Sequence, residues 1–282
     1  MNEQIGPFKK TAIIGVGLMG GSLALALRGK RIFGTIYGFA RSEKSYQKLK
    51  KLNLVDRVEK NIKVAVEGAD IVILAAPVYA IVDYFKTIAP FLKKKAIVLD
   101  LGSTKEYIVA AAKKYLPRHV EFIGCHPLCG GEKSGAEFSR KDLYKNAPCF
   151  VVNDNFSGFG FKVTKLLWES AGGHVIALSA IEHDRILAFV SHMPHIVSFT
   201  MAAELPGYCL DFAGPAFKDM TRVAASPVNV WADIFLSNKD NILNATGKFI
   251  EALEKFRKLI KEENKRGVYE FIEKANRKQK NY

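Results

Sequence analysis

The chain has 282 residues, 49% of them apolar and 25% charged, a globular composition that allows one large or two ordinary domains and excludes disordered and fibrous classes. Its four scattered cysteines (Cys125, Cys129, Cys149, Cys209) exclude a disulfide framework, no N-terminal stretch is laid out as a secretion signal, and no uninterrupted apolar run nears the ~20 residues of a membrane span, so a cytoplasmic protein with no membrane contact is expected. The net charge of +14 is spread over polar helix faces and interleaved with acids, without an aromatic-basic pattern, and fits attraction of small multiply charged anions better than nucleic acid.

Taken in chain order, short β-branched runs alternate with helix-length amphipathic segments from residue 11 to about 178. Strands are expected at 11–14, 35–39, 71–75, 97–100, 121–123, 149–152 and 174–178, with helices at 20–28, 42–52, 78–92, 105–116 and 159–171. Runs such as Ile71-Val72-Ile73-Leu74 are apolar on both faces, as strands covered by helices on both sides must be. The fold class is therefore α/β, a doubly wound and mostly parallel sheet of Rossmann type over residues 1–178. No strand is expected after 178, so residues 179–282 form a second, all-helical domain. The stretch 181–204 is apolar nearly all round, which predicts a buried central helix kinked by Pro194. Ile242, Thr246, Phe249, Leu253, Phe256 and Ile260 form a narrow seam of coiled-coil spacing, which meets another helix in the same subunit or in a partner. A homodimer through this domain is expected.

The segment Gly15-Val16-Gly17-Leu18-Met19-Gly20 follows one expected strand and opens a helix, the context in which G-x-G-x-x-G marks a dinucleotide site. Gly15 makes the tight turn, Gly17 lets backbone approach a pyrophosphate, and Gly20 lets helix and strand pack. The helix N-terminus then offers free N–H groups to the anion, and Leu18 and Met19, inside the motif, are counted with the glycines as cofactor-binding. The bland alternative is a glycine-rich turn without a ligand. At the end of the second strand an NAD site expects Asp or Glu, but here Ala40 stands there, followed by Arg41 and Ser42. A guanidinium with a hydroxyl suits a 2′-phosphate, so the reading leans to NADP over NAD. Arg41 covering the adenine face is the competing explanation.

The densest constellation is Gly124-Cys125-His126-Pro127, continuing through Cys129 to Glu132-Lys133-Ser134-Gly135. It is expected on a loop at the carboxyl edge of the sheet, where ligands of this fold bind. An imidazole there can take a hydroxyl proton while hydride leaves the same carbon; a histidine that only ties its loop down is the alternative. Cys125, His126 and Cys129 do not have common zinc spacing, and no metal is expected. His192 and His195 alone would read as core histidines, Arg222 after Asp219 as a helical ion pair, and Trp231 as core.

Together with Asp100-Leu101-Gly102-Ser103-Thr104-Lys105, Ser191-His192-Met193-Pro194-His195 and Phe217-Lys218-Asp219-Met220-Thr221-Arg222, these motifs resemble the prephenate/arogenate dehydrogenases of tyrosine biosynthesis, in order from about residue 11 to 240. The resemblance implies that His126 bonds the ring C4 hydroxyl and accepts its proton, assisted by Ser103. It implies that Arg222 holds a substrate carboxylate, that His195 lines the pocket, and that Glu132 and Trp231 stand nearby, Trp231 reaching across a dimer interface. Gly131 replaces a Thr of the family pattern, which puts feedback control there in doubt, as Ala40 does the usual acid. No appended mutase or regulatory domain is expected. His195 leans the substrate towards prephenate, with arogenate as the alternative. A β-hydroxyacid dehydrogenase would carry a lysine in the central helix, and 181–204 has none. A silent nucleotide sensor would have no use for His126, Ser103 and Arg222 together.

Overall fold

The structure is a computed structural model that describes residues 5–130, 134–153 and 155–281. Eight strands form one sheet: β1 (Lys10–Ile14), β2 (Thr35–Phe39), β3 (Arg57–Glu59), β4 (Ile71–Leu74), β5 (Ile97–Asp100), β6 (Glu121–Pro127), β7 (Pro148–Val152) and β8 (His174–Leu178). Their order is β3-β2-β1-β4-β5-β6-β7-β8, and every neighbouring pair is parallel except β6 with β7. Successive side chains of a strand point to opposite faces, and here both faces are apolar. Ile13, Ile71, Ile73, Ile97 and Leu99 pack under α1 (Leu18–Leu27), α2 (Glu43–Leu52) and α6 (Phe159–Ala171). Ala12, Ile14, Val72, Leu74 and Val98 pack under α3 (Ile62–Val66), α4 (Val78–Ile88) and α5 (Glu106–Tyr115).

Two differences from the expected elements bear on the site. First, β3 and α3 were not expected, being three and five residues long, too short to show a period. Second, β6 runs on to Pro127, so His126 sits on a strand and not on a loop after one. The parallel pairing with β5 stops at Ile123, but from Gly124 onward β6 gains an antiparallel partner in β7, with His126 opposite Phe150. Backbone that outruns one neighbour is kept extended by the other.

Beyond Leu178 the chain is helical among the described residues: α7 (Ala180–Leu187), α8 (Met193–Glu204), α9 (Pro215–Thr221), α10 (Val228–Ser237), α11 (Lys239–Lys261) and α12 (Lys265–Gln279). The break expected at Pro194 takes the form of a π-helical turn, Ala188–His192. Proline has no N–H to return to residue 190, and a wider turn just before it absorbs that loss. The central helix is buried on one side only: His183, Asp184, His192 and Ser198 face inward, while Ile181 and Val190 are 64% and 66% exposed. By length and composition 180–204 is also the one stretch among the described residues that could cross a membrane. Along the expected seam of α11, Ile242 is buried and Phe256 packs on Phe271 of α12, but Leu253 and Ile260 remain more than half exposed.

Candidate active site

The strand order reverses between β1 and β4, and the crevice at their carboxyl ends is where a doubly wound sheet takes its ligand. Gly15 has φ +90°, and a Cβ there would lie 2.2 Å from the Ala75 carbonyl oxygen; one on Gly20 would lie 2.3 Å from the Gly15 oxygen. The protein's own packing thus requires both. Gly17 differs, because a Cβ there would meet nothing within 4 Å. It precedes an α1 N-terminus that no side chain caps, so the N–H groups of Leu18 and Met19 have no partner in the helix. Tyr144 donates to the Met19 carbonyl (2.7 Å) and Ser139 to that of Gly17 (3.1 Å), bracing this end of α1. The cradle fits a pyrophosphate on geometry alone.

At the next strand end, Ala40 is buried and donates its N–H to the Glu59 carbonyl (2.8 Å), while Arg41 is exposed. The Ser42 hydroxyl is engaged: it accepts from the Ser45 N–H (3.2 Å) as the N-cap of α2. Lys60, just past β3, is drawn to Glu43 (2.7 Å), which adds a cation at this edge that sequence reading did not single out.

His126 retains some exposure on β6, and its Nδ1 lies 2.9 Å from His183 Nε2. The other nitrogen of His183, Nδ1, lies 2.7 Å from Asp184 Oδ1. Asp184 also accepts from the backbone N–H groups of Lys105 (2.7 Å) and Glu106 (2.8 Å) at the start of α5. Behind them the fully buried Lys105 ammonium pairs with Asp100 and donates to the Cys125 carbonyl (2.9 Å). Asp100 accepts in turn from the N–H groups of Gly102 (2.7 Å) and Cys125 (3.1 Å). Burial holds His126 well below the usual imidazole range, helped by His183, Lys105 and His192. Burial and the charge of Lys105 take His183 down to about 3. The site is therefore a row of neutral imidazoles beside the buried Lys105–Asp100 pair. His183 and Asp184 were missed because they fall inside an apolar helix. The signal present was the Ser179-x-x-Glu182 capping box, which fixes the helix start and hence the face they occupy.

Ser103 is half-buried in the loop between β5 and α5, beside Thr104, whose hydroxyl bonds that of Ser237 (2.9 Å). No hydrogen bond joins Ser103 to His126 among the described residues. The helical side contributes a second group. His195 anchors its Nδ1 at the Ser191 carbonyl (2.9 Å) and stacks on Trp231, with ring centroids 3.5 Å apart. Trp231, implied to reach across a dimer interface, thus lies against its own chain's His195. Its ring also meets His192 edge-on at 6.2 Å, which joins this group to the first, since His192 shares Asn238 with Asp184. Arg222 opens a 3-10 turn after α9, near enough for its charge to help depress His195, chiefly lowered by burial. Glu132 lies outside the described residues.

Residues 23–177 match the family model for the prephenate dehydrogenase nucleotide-binding domain, and residues 179–274 match that for its dimerization domain. The chain belongs to the prephenate dehydrogenase family. It is 34% identical over 261 residues to the cyclohexadienyl dehydrogenase of Zymomonas mobilis, covering 90% of this chain and 89% of that protein. To the prephenate dehydrogenase of Bacillus subtilis it is 29% identical over 271 residues, covering 93% and 73%. The crystal structure of prephenate dehydrogenase from A. aeolicus in complex with hydroxyphenyl propionate and NAD+ superposes with a TM-score of 0.88 at 31% identity, covering 97% of this chain and 98% of that one. As a member of this family, the protein is a pyridine-nucleotide-dependent dehydrogenase with a Rossmann-type domain and a helical dimerisation domain.

Proposed function

We propose that this protein oxidises and decarboxylates prephenate to 4-hydroxyphenylpyruvate, with arogenate as the alternative substrate. The observation that carries the reading is an imidazole, His126, held by His183 at the carboxyl edge of a sheet whose first turn is a pyrophosphate cradle. A bound nicotinamide would supply the hydride acceptor for the ring carbon that bears the hydroxyl. His126 takes the hydroxyl proton as that carbon becomes a carbonyl, and returns it when loss of the ring carboxylate as CO₂ makes the ring aromatic and the oxygen a phenol. Because aromatisation makes the step irreversible, positioning and one proton acceptor suffice.

Ser103 is assigned to assist at the same hydroxyl, and Arg222 to clamp a substrate carboxylate with its planar fork. His195 and Trp231 form a flat aromatic wall suited to the ring, and Glu132 is assigned to substrate binding by the family resemblance alone. His195 favours prephenate. The protein acts as a homodimer. Exposed Arg41 with no carboxylate at Ala40 favours NADP; because the Ser42 hydroxyl already caps α2, the preference rests on the guanidinium.

Initial rates of reduction of NAD+ and NADP+, with prephenate and with arogenate in separate cells, test the whole reading. Turnover with prephenate and a lower KM for NADP+ is expected. Turnover with arogenate alone corrects the substrate, a KM ratio favouring NAD+ refutes the role of Arg41, and no turnover with either acid refutes the assignment.

A further inference from the structure

The three groups Asp184, His183 and His126 form a chain in which each proton's place is dictated by the one before. Both Asp184 oxygens accept backbone N–H bonds from the start of α5, at 2.7 and 2.8 Å, so the carboxylate faces His183 as an acceptor. The nitrogen 2.7 Å from it, His183 Nδ1, must then donate. A neutral imidazole has a single N–H, so His183 Nε2 carries a bare lone pair. His126 Nδ1, 2.9 Å from that lone pair, must donate in turn, which leaves the lone pair of His126 on Nε2. Free imidazole side chains prefer the opposite tautomer, with hydrogen on Nε2, so the arrangement has to be imposed.

We propose that His183 and Asp184 are positioning residues that lock His126 in the tautomer with its lone pair on Nε2 and its ring fixed for proton acceptance. The inference deepens the reading of His126 as the proton acceptor and rests on it for its catalytic consequence, but not for the tautomer itself. The other charged or titratable groups facing the chain are Lys105 and Asp100 from the β5 edge and His192 from the π-turn, with Asn238 donating to the Asp184 carbonyl. None of these makes a hydrogen bond to the His126 ring among the described residues; His183 does. The lock also spans the two halves of the molecule: His126 is on β6, while its brace is on the first two turns of α7.

The test uses the full-length protein, wild type and His183→Phe, a change that keeps a flat ring where His183 already meets Phe150 edge-on and deletes the acceptor. Long-range ¹⁵N–¹H correlation spectra of ¹⁵N-histidine protein, with the His126 signals identified by loss in His126→Asn, read the tautomer without any turnover. The expected result is hydrogen on Nδ1 in the wild type and on Nε2 in His183→Phe. Hydrogen on Nε2 in the wild type, or no change in the variant, overturns the proposal. In kinetics, His183→Phe should lower kcat by about 10²-fold or more, the scale of a lost general base. The dinucleotide Kd should stay within about twofold, and His183→Gln, whose amide oxygen can accept from Nδ1, should recover part of kcat. A role in packing alone would instead lower thermal stability and cofactor affinity in both variants alike and leave the tautomer unmoved. If the wild type shows the Nδ1–H tautomer yet turns over neither acid, the functional reading fails and the lock stands. If the wild type turns over and His183→Phe matches it in kcat, the lock fails and the functional reading stands.

Discussion

The three glycines of Gly15-x-Gly17-x-x-Gly20 give a prediction that separates folding from ligand binding within six residues. Gly15→Ala combines a left-handed φ of +90° with a Cβ placed 2.2 Å from the Ala75 oxygen. The conformation costs about 1–2 kcal/mol for an L residue, and the backbone displacement needed to relieve the clash adds about 1–3 kcal/mol. Gly20→Ala has helical backbone but a Cβ 2.3 Å from the Gly15 oxygen, so only the second cost applies. Gly17→Ala puts its methyl in open space from an extended backbone, so stability should change by no more than about 0.5 kcal/mol. That open space is, however, the cradle itself, and the methyl should weaken dinucleotide binding at least tenfold, about 1.4 kcal/mol. Urea denaturation of the unliganded proteins and fluorescence titration with the dinucleotide measure the two effects separately. The order of destabilisation should be Gly15→Ala, then Gly20→Ala, then Gly17→Ala, with affinity lost in all three. A Gly17→Ala protein that binds cofactor as the wild type does would refute the placement of the pyrophosphate. One that unfolds as readily as Gly15→Ala would refute the steric reasoning.

Lys105→Met should cost about 3–5 kcal/mol by leaving Asp100 buried and unpaired; the double change with Asp100→Asn should cost clearly less than the two singles added, and additive costs in urea titration would show that the pair is not coupled. His126, His183 and His192 are each held below the usual imidazole range, His183 at about 3 and His192 at about 4. The unfolded chain therefore binds more protons than the native one once pH falls below about 6.5, and each histidine removes up to about 1.4 kcal/mol of stability per pH unit on the way down. Urea midpoints should accordingly drop between pH 7 and pH 5, while kcat/KM stays flat through pH 6.5; a midpoint independent of pH would mean that these rings are solvated. Finally, Leu253→Lys on the exposed row of α11 should shift sedimentation from dimer to monomer at micromolar protein, and an undisturbed dimer would place the interface elsewhere.

Periodicity made most of the sheet legible, because each central strand is apolar on both faces and each covering helix on one. The elements it missed are those with no room for a period: β3 with three residues, α3 with five. It also ended β6 too early, since nothing local to Gly124-Cys125-His126-Pro127 says that β7 will return antiparallel beside it. The cradle was readable because its glycines answer to backbone geometry within one turn of chain. His183 and Asp184 were not, because their meaning is tertiary. A His-Asp pair in an apolar helix carries no message until that helix is laid across β6 with its first two turns facing His126.

That placement bears on how the two halves of the molecule relate. The sheet ends at Leu178 and the helices begin at Ala180, so the architecture changes at residue 179. Hydrogen bonding crosses that point. Asp184 caps the start of α5, Asn241 of α11 donates to the Glu106 carboxylate, Thr104 pairs with Ser237, and Asp233 approaches the Tyr79 N–H at 3.4 Å near the start of α4. Each of these ties a loop or helix start at the carboxyl edge of the sheet to α7, α10 or the start of α11. Buried donors and acceptors that depend on one another across a boundary oppose its opening, since separation would expose or orphan them all together. Asp184, which helps hold the helical half in place, is thus also a member of the chain that sets the ring of His126, so a change that loosens the docking of α7 should be felt first in the proton step and only afterwards in the cradle at Gly17, which is built from the sheet half alone.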